Sequence, residues 1–213
     1  MAETERFDQA AGTWDLEDRR VALAHGVTEA IKGQVALSKD LAVLDFGCGT
    51  GLVTLALAPR VGSMTGADTS TGMLATLAEK AAARAIPVAL HRLNPAGAFD
   101  LGGPYHLIVS SMTLHHVPEV PALFRQFKEH LLPGGRLALA DLDAEDGGFH
   151  DDPAGVYHRG FDREDIRAWL AEAGFGNIHL QTATITRKAS VDYSVFLALA
   201  SLPPGPTGPA AAQ

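Results

Sequence analysis

The run Asp45-Phe46-Gly47-Cys48-Gly49-Thr50-Gly51 sets three alternating glycines behind an acid. Glycines so spaced let the chain reverse tightly and let a ligand touch backbone. The run follows the apolar stretch 41–46 and precedes the helix-like stretch 52–58, so it falls where a buried strand gives way to a helix. The free N–H groups and positive partial charge of such a helix start suit a carboxylate or phosphate. A dinucleotide loop would need its third glycine where Leu52 stands, because that motif is G-x-G-x-x-G. Asp45 would repel a pyrophosphate and attract an ammonium, so a ligand carrying both amine and carboxylate fits better. A turn made only for the fold is the bland reading of the same glycines.

Gly66-Ala67-Asp68-Thr69-Ser70 closes a second strand-like run. A carboxylate at a strand end can accept both hydroxyls of a ribose, although Asp68, Thr69 or Ser70 could equally cap the next helix. Ser110 to Pro118 holds the pair His115-His116. On regular structure adjacent side chains diverge, so the two are not expected to ligate one metal. With a reference pKa near neutrality, His115 is a candidate general base, and His116 a candidate contact for a second substrate. Further on come Asp141, Asp143, Glu145, Asp146, His150, Asp151 and Asp152, then Tyr157-His158-Arg159. Loops after parallel strands face one crevice, which makes His158 and Arg159 candidate substrate contacts. The spacing of His150, Asp151 and His158 matches no ligand motif, and no metal is expected.

These residues require a frame of alternating strands and helices. Spacing predicts helix over 7–35, strand over 41–46, helix over 52–58 stopped by Pro59, strand over 63–67 and helix over 70–84. It then predicts strands over 87–90 and 105–110, helix over 120–131, strand over 135–140 after the turn Pro133-Gly134-Gly135, and helix over 162–173 capped by Asp162 and ended by Gly174. Two late β-runs, 177–182 and 193–198, read as an antiparallel hairpin closing one sheet edge. The whole is an α/β, Rossmann-like, doubly wound sheet, mostly parallel. Residues 1–200 form one domain, with 1–35 as a helical N-terminal cap, and 201–213 a mobile tail rich in proline and glycine.

With 213 residues, 46% hydrophobic and 20% charged, the chain can bury a full core. A formal net charge of -8 argues against non-specific nucleic-acid binding. The single cysteine, Cys48, excludes an intrachain disulfide, and its place in the glycine turn reads as a small loop residue. The first residues lack a basic start and an apolar core, and no apolar run spans a bilayer. A cytoplasmic protein without membrane insertion, monomeric or homodimeric, is expected.

Val43 to Gly51, Ala67 to Leu74 (ADTSTGML) and Leu131 to Leu139 (LLPGGRLAL) resemble the successive motifs of class I S-adenosylmethionine-dependent methyltransferases. The likeness runs from about Phe7 to Ala200 and is nearest to the small-molecule group that includes the ubiquinone and menaquinone C-methyltransferases. It implies a seven-stranded sheet with its last strand antiparallel. It implies that S-adenosylmethionine is the cofactor, leaving as S-adenosylhomocysteine, and that a small molecule accepts the methyl group. By the resemblance Asp45, Gly47 and Gly49 hold the methionine moiety, Asp68 holds the ribose, and Met73 packs on the adenine, with Cys48 and Thr69 as further candidate cofactor contacts. The family usually has an acid for the adenine amine where Asn94 stands, whose amide oxygen can also accept. Trp14, with Phe7, either forms a lid over the cofactor or anchors the cap to the domain. The rival readings are a nicotinamide-dependent reductase, a non-catalytic S-adenosylmethionine-binding protein and a nucleic-acid methyltransferase.

Overall fold

The computed structural model describes residues 3–94 and 99–205. Among these, seven strands form one sheet in the order β3-β2-β1-β4-β5-β7-β6. The strands are β1 (Ala42–Phe46), β2 (Ser63–Asp68), β3 (Ala89–Arg92), β4 (Tyr105–Ser111), β5 (Leu131–Leu142), β6 (Gly176–Lys188) and β7 (Val191–Ser201). β1 pairs in parallel with β2 and β4, and β7 lies antiparallel to both β5 and β6. The last strand is thus the reversed one, as the resemblance implied.

Side-chain alternation along β1 shows how the sheet is covered. Val43 packs with Leu23, Val27 and Ile31 of α2 (Asp18–Gln34) and Val53 and Leu57 of α3 (Leu52–Leu57). Leu44 and Phe46 point the other way, into Leu123, Phe124 and Phe127 of α5 (Val120–His130) and Ile166 and Leu170 of α6 (Arg163–Glu172). Both faces of this parallel strand are buried, so its sequence is apolar on both except for Asp45 near the ligand end. α4 (Thr71–Ala83) adds a smaller cluster in which Leu74 and Leu77 meet Leu55. Ser70 caps α4 by accepting from Met73 N, and Asp162 caps α6 by accepting from Glu164 N.

Several elements differ from expectation. The single helix read over 7–35 is three pieces: α1 (Glu3–Ala10), a 3₁₀ stretch (Ala11–Leu16) and α2. The strand read over 87–90 starts later, at Ala89, beyond Pro87, which has no N–H to give a ladder. The turn at 133–135 is a bulge inside β5 rather than its entry: Tyr105 pairs with Leu131 and Leu107 with Arg136. Pro59 does not stop the chain at once, for a 3₁₀ turn (Ala58–Arg60) carries it one step on.

β6 and β7 run well past the apolar cores that flagged them. Ser201 belongs to β7, Leu202 N donates to Gly135 O at 2.8 Å, and Gly134 N donates to Pro203 O at 2.9 Å. The start of the proline-rich tail is therefore held, and the rest, 206–213, lies outside the described residues. No helix among the described residues is long and apolar enough to cross a membrane.

Candidate functional site

The strand order reverses between β1 and β4, and the crevice beyond their carboxyl ends is where open α/β sheets take ligands. A cavity of about 930 Å³ lies there, walled by Asp45, Gly47 to Thr50, Asp68, Thr69, Met73, the loop 111–118, residues 149–152 and the N-terminal cap. That volume sits near the upper end of the ~300–1,000 Å³ usual for small-molecule pockets, enough for two adjacent ligands.

The glycine turn is fixed from below. Gly47 N and Cys48 N both donate to Ala67 O, at 2.8 and 3.0 Å. Gly47 has a φ of +70°, and a Cβ on it would stand 2.2 Å from Thr113 Cγ2. Gly49 has a φ of +53°, yet a Cβ there would meet nothing within 4 Å. Two different reasons for glycine follow: Gly47 is crowded by protein, whereas Gly49 borders open cavity.

Gly47→Ala is therefore expected to cost about 2–5 kcal/mol, from the left-handed backbone and from overpacking, and to lower the Tm by roughly 5–15 °C. Gly49→Ala should leave the Tm within about 5 °C, since only the backbone penalty applies, and weaken ligand binding instead. Thermal denaturation of the two proteins checks this; equal losses would refute the distinction.

Asp68, at the end of β2, accepts from Gly49 N at 2.8 Å and from Ser70 N at 2.9 Å, so one carboxylate ties both ligand loops together. Burial pushes its carboxyl above the ordinary range, against the pull of those backbone donors. Asp45 is buried, accepts from Thr54 Oγ1 at 2.6 Å, and is pushed up to about 7 by burial, with the Asp68 charge adding to the shift. Burial and the neighbouring acids also push the Cys48 thiol up, which disfavours the reactive thiolate.

The N-terminal cap is stitched onto the same loops. Asp8 Oδ1 accepts from Ser70 Oγ at 2.6 Å and Gly72 N at 2.8 Å. Asp15 accepts from Thr50 Oγ1 at 2.6 Å and pairs with Lys80. These bonds place Phe7 and Trp14, whose ring centroids are 5.9 Å apart, in the cavity wall.

At the far end, a 3₁₀ turn (Leu114–His116) carries the two histidines. They do not diverge: on this tight turn their rings lie 4.2 Å apart, and His150 joins them 4.7 Å from His115. His115 Nδ1 bonds Asp141 Oδ1 at 2.7 Å, with both side chains nearly inaccessible. An ionised carboxylate can only accept, so Nδ1 donates this bond, and Nε2 is the ring nitrogen not bonded to Asp141. Burial raises the Asp141 carboxyl, but the charge and bonds of His115 outweigh it and hold the group low. His116 Nδ1 donates to Gly155 O at 2.6 Å, and burial depresses His116 to about 3. Burial likewise lowers His150 to about 4, with His115 adding to the effect.

Of the residues singled out from sequence, Asp45, Gly47, Cys48, Gly49, Asp68, Thr69, Met73, Trp14, His115 and His116 meet in this cavity. Three do not line it. His158 turns away to bond Val117 O at 3.0 Å and pack on Phe161; Arg159 is exposed and lies over Gly147. Asn94 is exposed, while its neighbour Leu93 and Phe99 line the wall near Met73. Residues that sequence reasoning passed over include Arg6, Arg19, Arg20, Phe99 and Phe149. Among the described residues no group of three or more His, Cys, Asp or Glu side chains could hold a metal ion.

Comparison with known proteins agrees with this geometry. The family model of a methyltransferase domain matches residues 16–180. Trans-aconitate 2-methyltransferase of Deinococcus radiodurans is 39% identical over 99 residues, covering 46% of this chain and 36% of that protein. An uncharacterized methyltransferase of Schizosaccharomyces pombe is 29% identical over 153 residues, covering 64% and 54%. The chain thus spans from about a third to about half the length of these curated relatives. Among solved structures, an S-adenosylmethionine-dependent methyltransferase from Clostridium acetobutylicum superposes with a TM-score of 0.70 at 16% identity, covering 92% of this chain and 99% of that one. With its strand order, its glycine turn and a family model matched over most of its length, the chain belongs to the methyltransferase-domain family, in the class I S-adenosylmethionine-dependent group.

Proposed function

We propose that the protein transfers the methyl group of S-adenosylmethionine to a small organic acceptor held beside it in the cavity. The observation that carries this is the continuity of one large cavity from Asp68 and Met73 to His115 and His150. The donor end fits a nucleoside and an amino acid together: Asp68 for the ribose, Asp45 for the ammonium, Gly49 for close approach, and Met73, Leu93 and Phe99 around the adenine. When bound, S-adenosylmethionine supplies an already activated methyl group. The protein's share is then mainly orientation, worth ~7–11 kcal/mol in favourable cases, and exclusion of water under the cap. Where the acceptor atom carries a proton, His115 Nε2 takes it, and Asp141 is the positioning residue that fixes the tautomer. A relative named for trans-aconitate supports an acceptor of small size.

Calorimetric titration with S-adenosylhomocysteine, with NADH as control, tests the reading. Micromolar binding of the first ligand alone is expected. Asp45 titrates at about 7 in the free protein, and an ammonium binds only its ionised form. Affinity should therefore weaken by up to about tenfold per pH unit below pH ~7, with proton release on binding, and Asp45→Asn should flatten the profile. Well-folded protein that takes NADH and not S-adenosylhomocysteine would overturn the proposal.

A further inference from the structure

Three guanidiniums reach the cavity, and each is seated on an aromatic ring that also lines it. Arg6 Cζ lies 4.8 Å from the centre of Phe7, Arg19 Cζ 5.0 Å from Phe149, and Arg20 Cζ 3.8 Å from Trp14. Such seating holds an arginine fork in one orientation before any ligand arrives, which lowers the ordering cost of binding. This happens in a chain whose formal net charge is -8 and in a cavity that also carries Asp45, Asp68, Glu119, Asp151 and Asp152, so what the arginines offer an anion is local.

Asp45 and Asp68 lie at the donor end, bonded to Thr54 and to Gly49 and Ser70, and the other acids are engaged or exposed. Glu17 serves both Arg19, whose Nε and Nη2 lie 3.0 and 2.7 Å from Oε1, and Arg20, whose Nε lies 2.8 Å from Oε2, so two guanidiniums share one carboxylate and Arg19 keeps Nη1 unused by it. Among the described residues Arg6 makes two long contacts to the exposed Asp152, Nη1 lying 3.4 Å from Oδ2 and 3.5 Å from the backbone O. Asp151 is taken by Lys188 at 2.7 Å, and Glu119 is exposed.

The arginines divide between the two ends of the cavity. Arg20 belongs with Trp14, over the glycine turn, where Thr50 is bonded to Asp15. Arg6 and Arg19 belong with the histidines: Phe7 sits edge-on to His116 at 5.3 Å, and Phe149 edge-on to His150 at 5.0 Å. His150 Nε2 is buried and has no hydrogen-bond partner among the described residues. A buried ring nitrogen in that state is costly unless a ligand completes it.

We infer that the methyl acceptor is an organic oxyanion, a carboxylate or phosphate, gripped by Arg6 and Arg19 with His150 Nε2 as a third contact. This rests on the methyltransferase reading above. Arginine forks match the two oxygens of such groups with paired N–H donors. The grip would hold the acceptor's anionic end against the cap and aim the rest of the molecule at His115 and the methyl group. Seating the grip on the cap also means that the acceptor binds against a surface already bonded to the donor loops.

The test uses full-length protein saturated with S-adenosylhomocysteine and probes paired by shape: benzoate against benzamide, and phenyl phosphate against phenol. Calorimetry should show at least one anion binding about tenfold or more tightly than its neutral partner. Arg6→Gln and Arg19→Gln should each weaken that anion about tenfold, and Arg→Lys at the same sites should recover part of the loss, since lysine keeps charge but not the fork. S-adenosylhomocysteine affinity should stay within about twofold in all four variants, which separates loss of the grip from loss of the fold. His150→Phe keeps the ring and should also weaken the anion. Neutral probes binding as well as the anions, anion affinity unmoved by the arginine changes, or no anion bound at millimolar concentration would each overturn the inference. Failure of S-adenosylhomocysteine itself to bind would instead sink the reading beneath it.

Discussion

Asp68→Ala protein is expected to bind S-adenosylhomocysteine at least about a hundredfold more weakly than wild type. Each hydrogen bond from a ribose hydroxyl to a charged carboxylate is worth ~1.5–3 kcal/mol, and two are lost together, which corresponds to roughly 10²–10⁴ in affinity. The carboxylate also receives Gly49 N and Ser70 N, so its removal loosens the backbone on both sides of the ligand. That second effect reaches stability as well, but modestly, because both donors lie beside the cavity where water can serve them. Calorimetry together with a melting curve separates the two contributions. An alanine variant that binds within about threefold of wild type, a difference of less than ~1 kcal/mol, would remove Asp68 from the cofactor site.

The second large effect concerns the pair at the other end. His115→Gln should lower kcat by about 10²–10⁴ for an acceptor that must lose a proton, the usual worth of a positioned general base. Asp141→Asn is the sharper change. It preserves shape and can still accept from His115 Nδ1, but it no longer carries the charge that stabilises the protonated ring. Expected are a fall in kcat with little change in KM, and loss of the inflection in kcat/KM that reports the base. A purely structural pair would instead lower the Tm and leave the pH profile of the remaining activity unchanged. An unaltered kcat in His115→Gln would exclude it as the base.

The parts legible in the sequence are those whose physics is local. β1 and β4 announce themselves by their apolar cores, Ala42 to Leu44 and Leu107 to Val109, because both their faces are covered. The glycine turn is legible because few other residues tolerate the φ values of +70°, +53° and +82° at Gly47, Gly49 and Gly51. Long-range effects were not visible. The break between α1 and α2 has no proline to mark it; Asp8 and Asp15 are drawn onto α4 and the glycine loop, and the chain bends to follow. β6 was read short because most of its residues are exposed or half-buried at the sheet edge, which leaves no apolar stripe.

Within the site, the pairing of His115 with Asp141 joins residues 26 apart in the chain, and neither residue type nor spacing signals it. His158 and Arg159 were placed in the crevice on the rule that loops after parallel strands face it, but only part of a long loop can do so. Tyr157 N and His158 N both bond back to His115 O, which leaves Tyr157 exposed at the cavity rim and His158 turned aside onto Val117. The arginines of the cap gave only the doublet Arg19-Arg20, which in a helix reads as solvated charge.

The reversed strand has a consequence for biosynthesis. β7 is the last strand among the described residues, yet it is inserted between β5 and β6 rather than added at a border. Until residues 191–201 leave the ribosome, β5 has one unpaired side and β6 has no partner at all. Both would be open strand borders of the kind that seed association between chains. Emergence order therefore couples the C-terminal half of the fold to its final stretch: a chain ending before residue 191 would leave both borders open together.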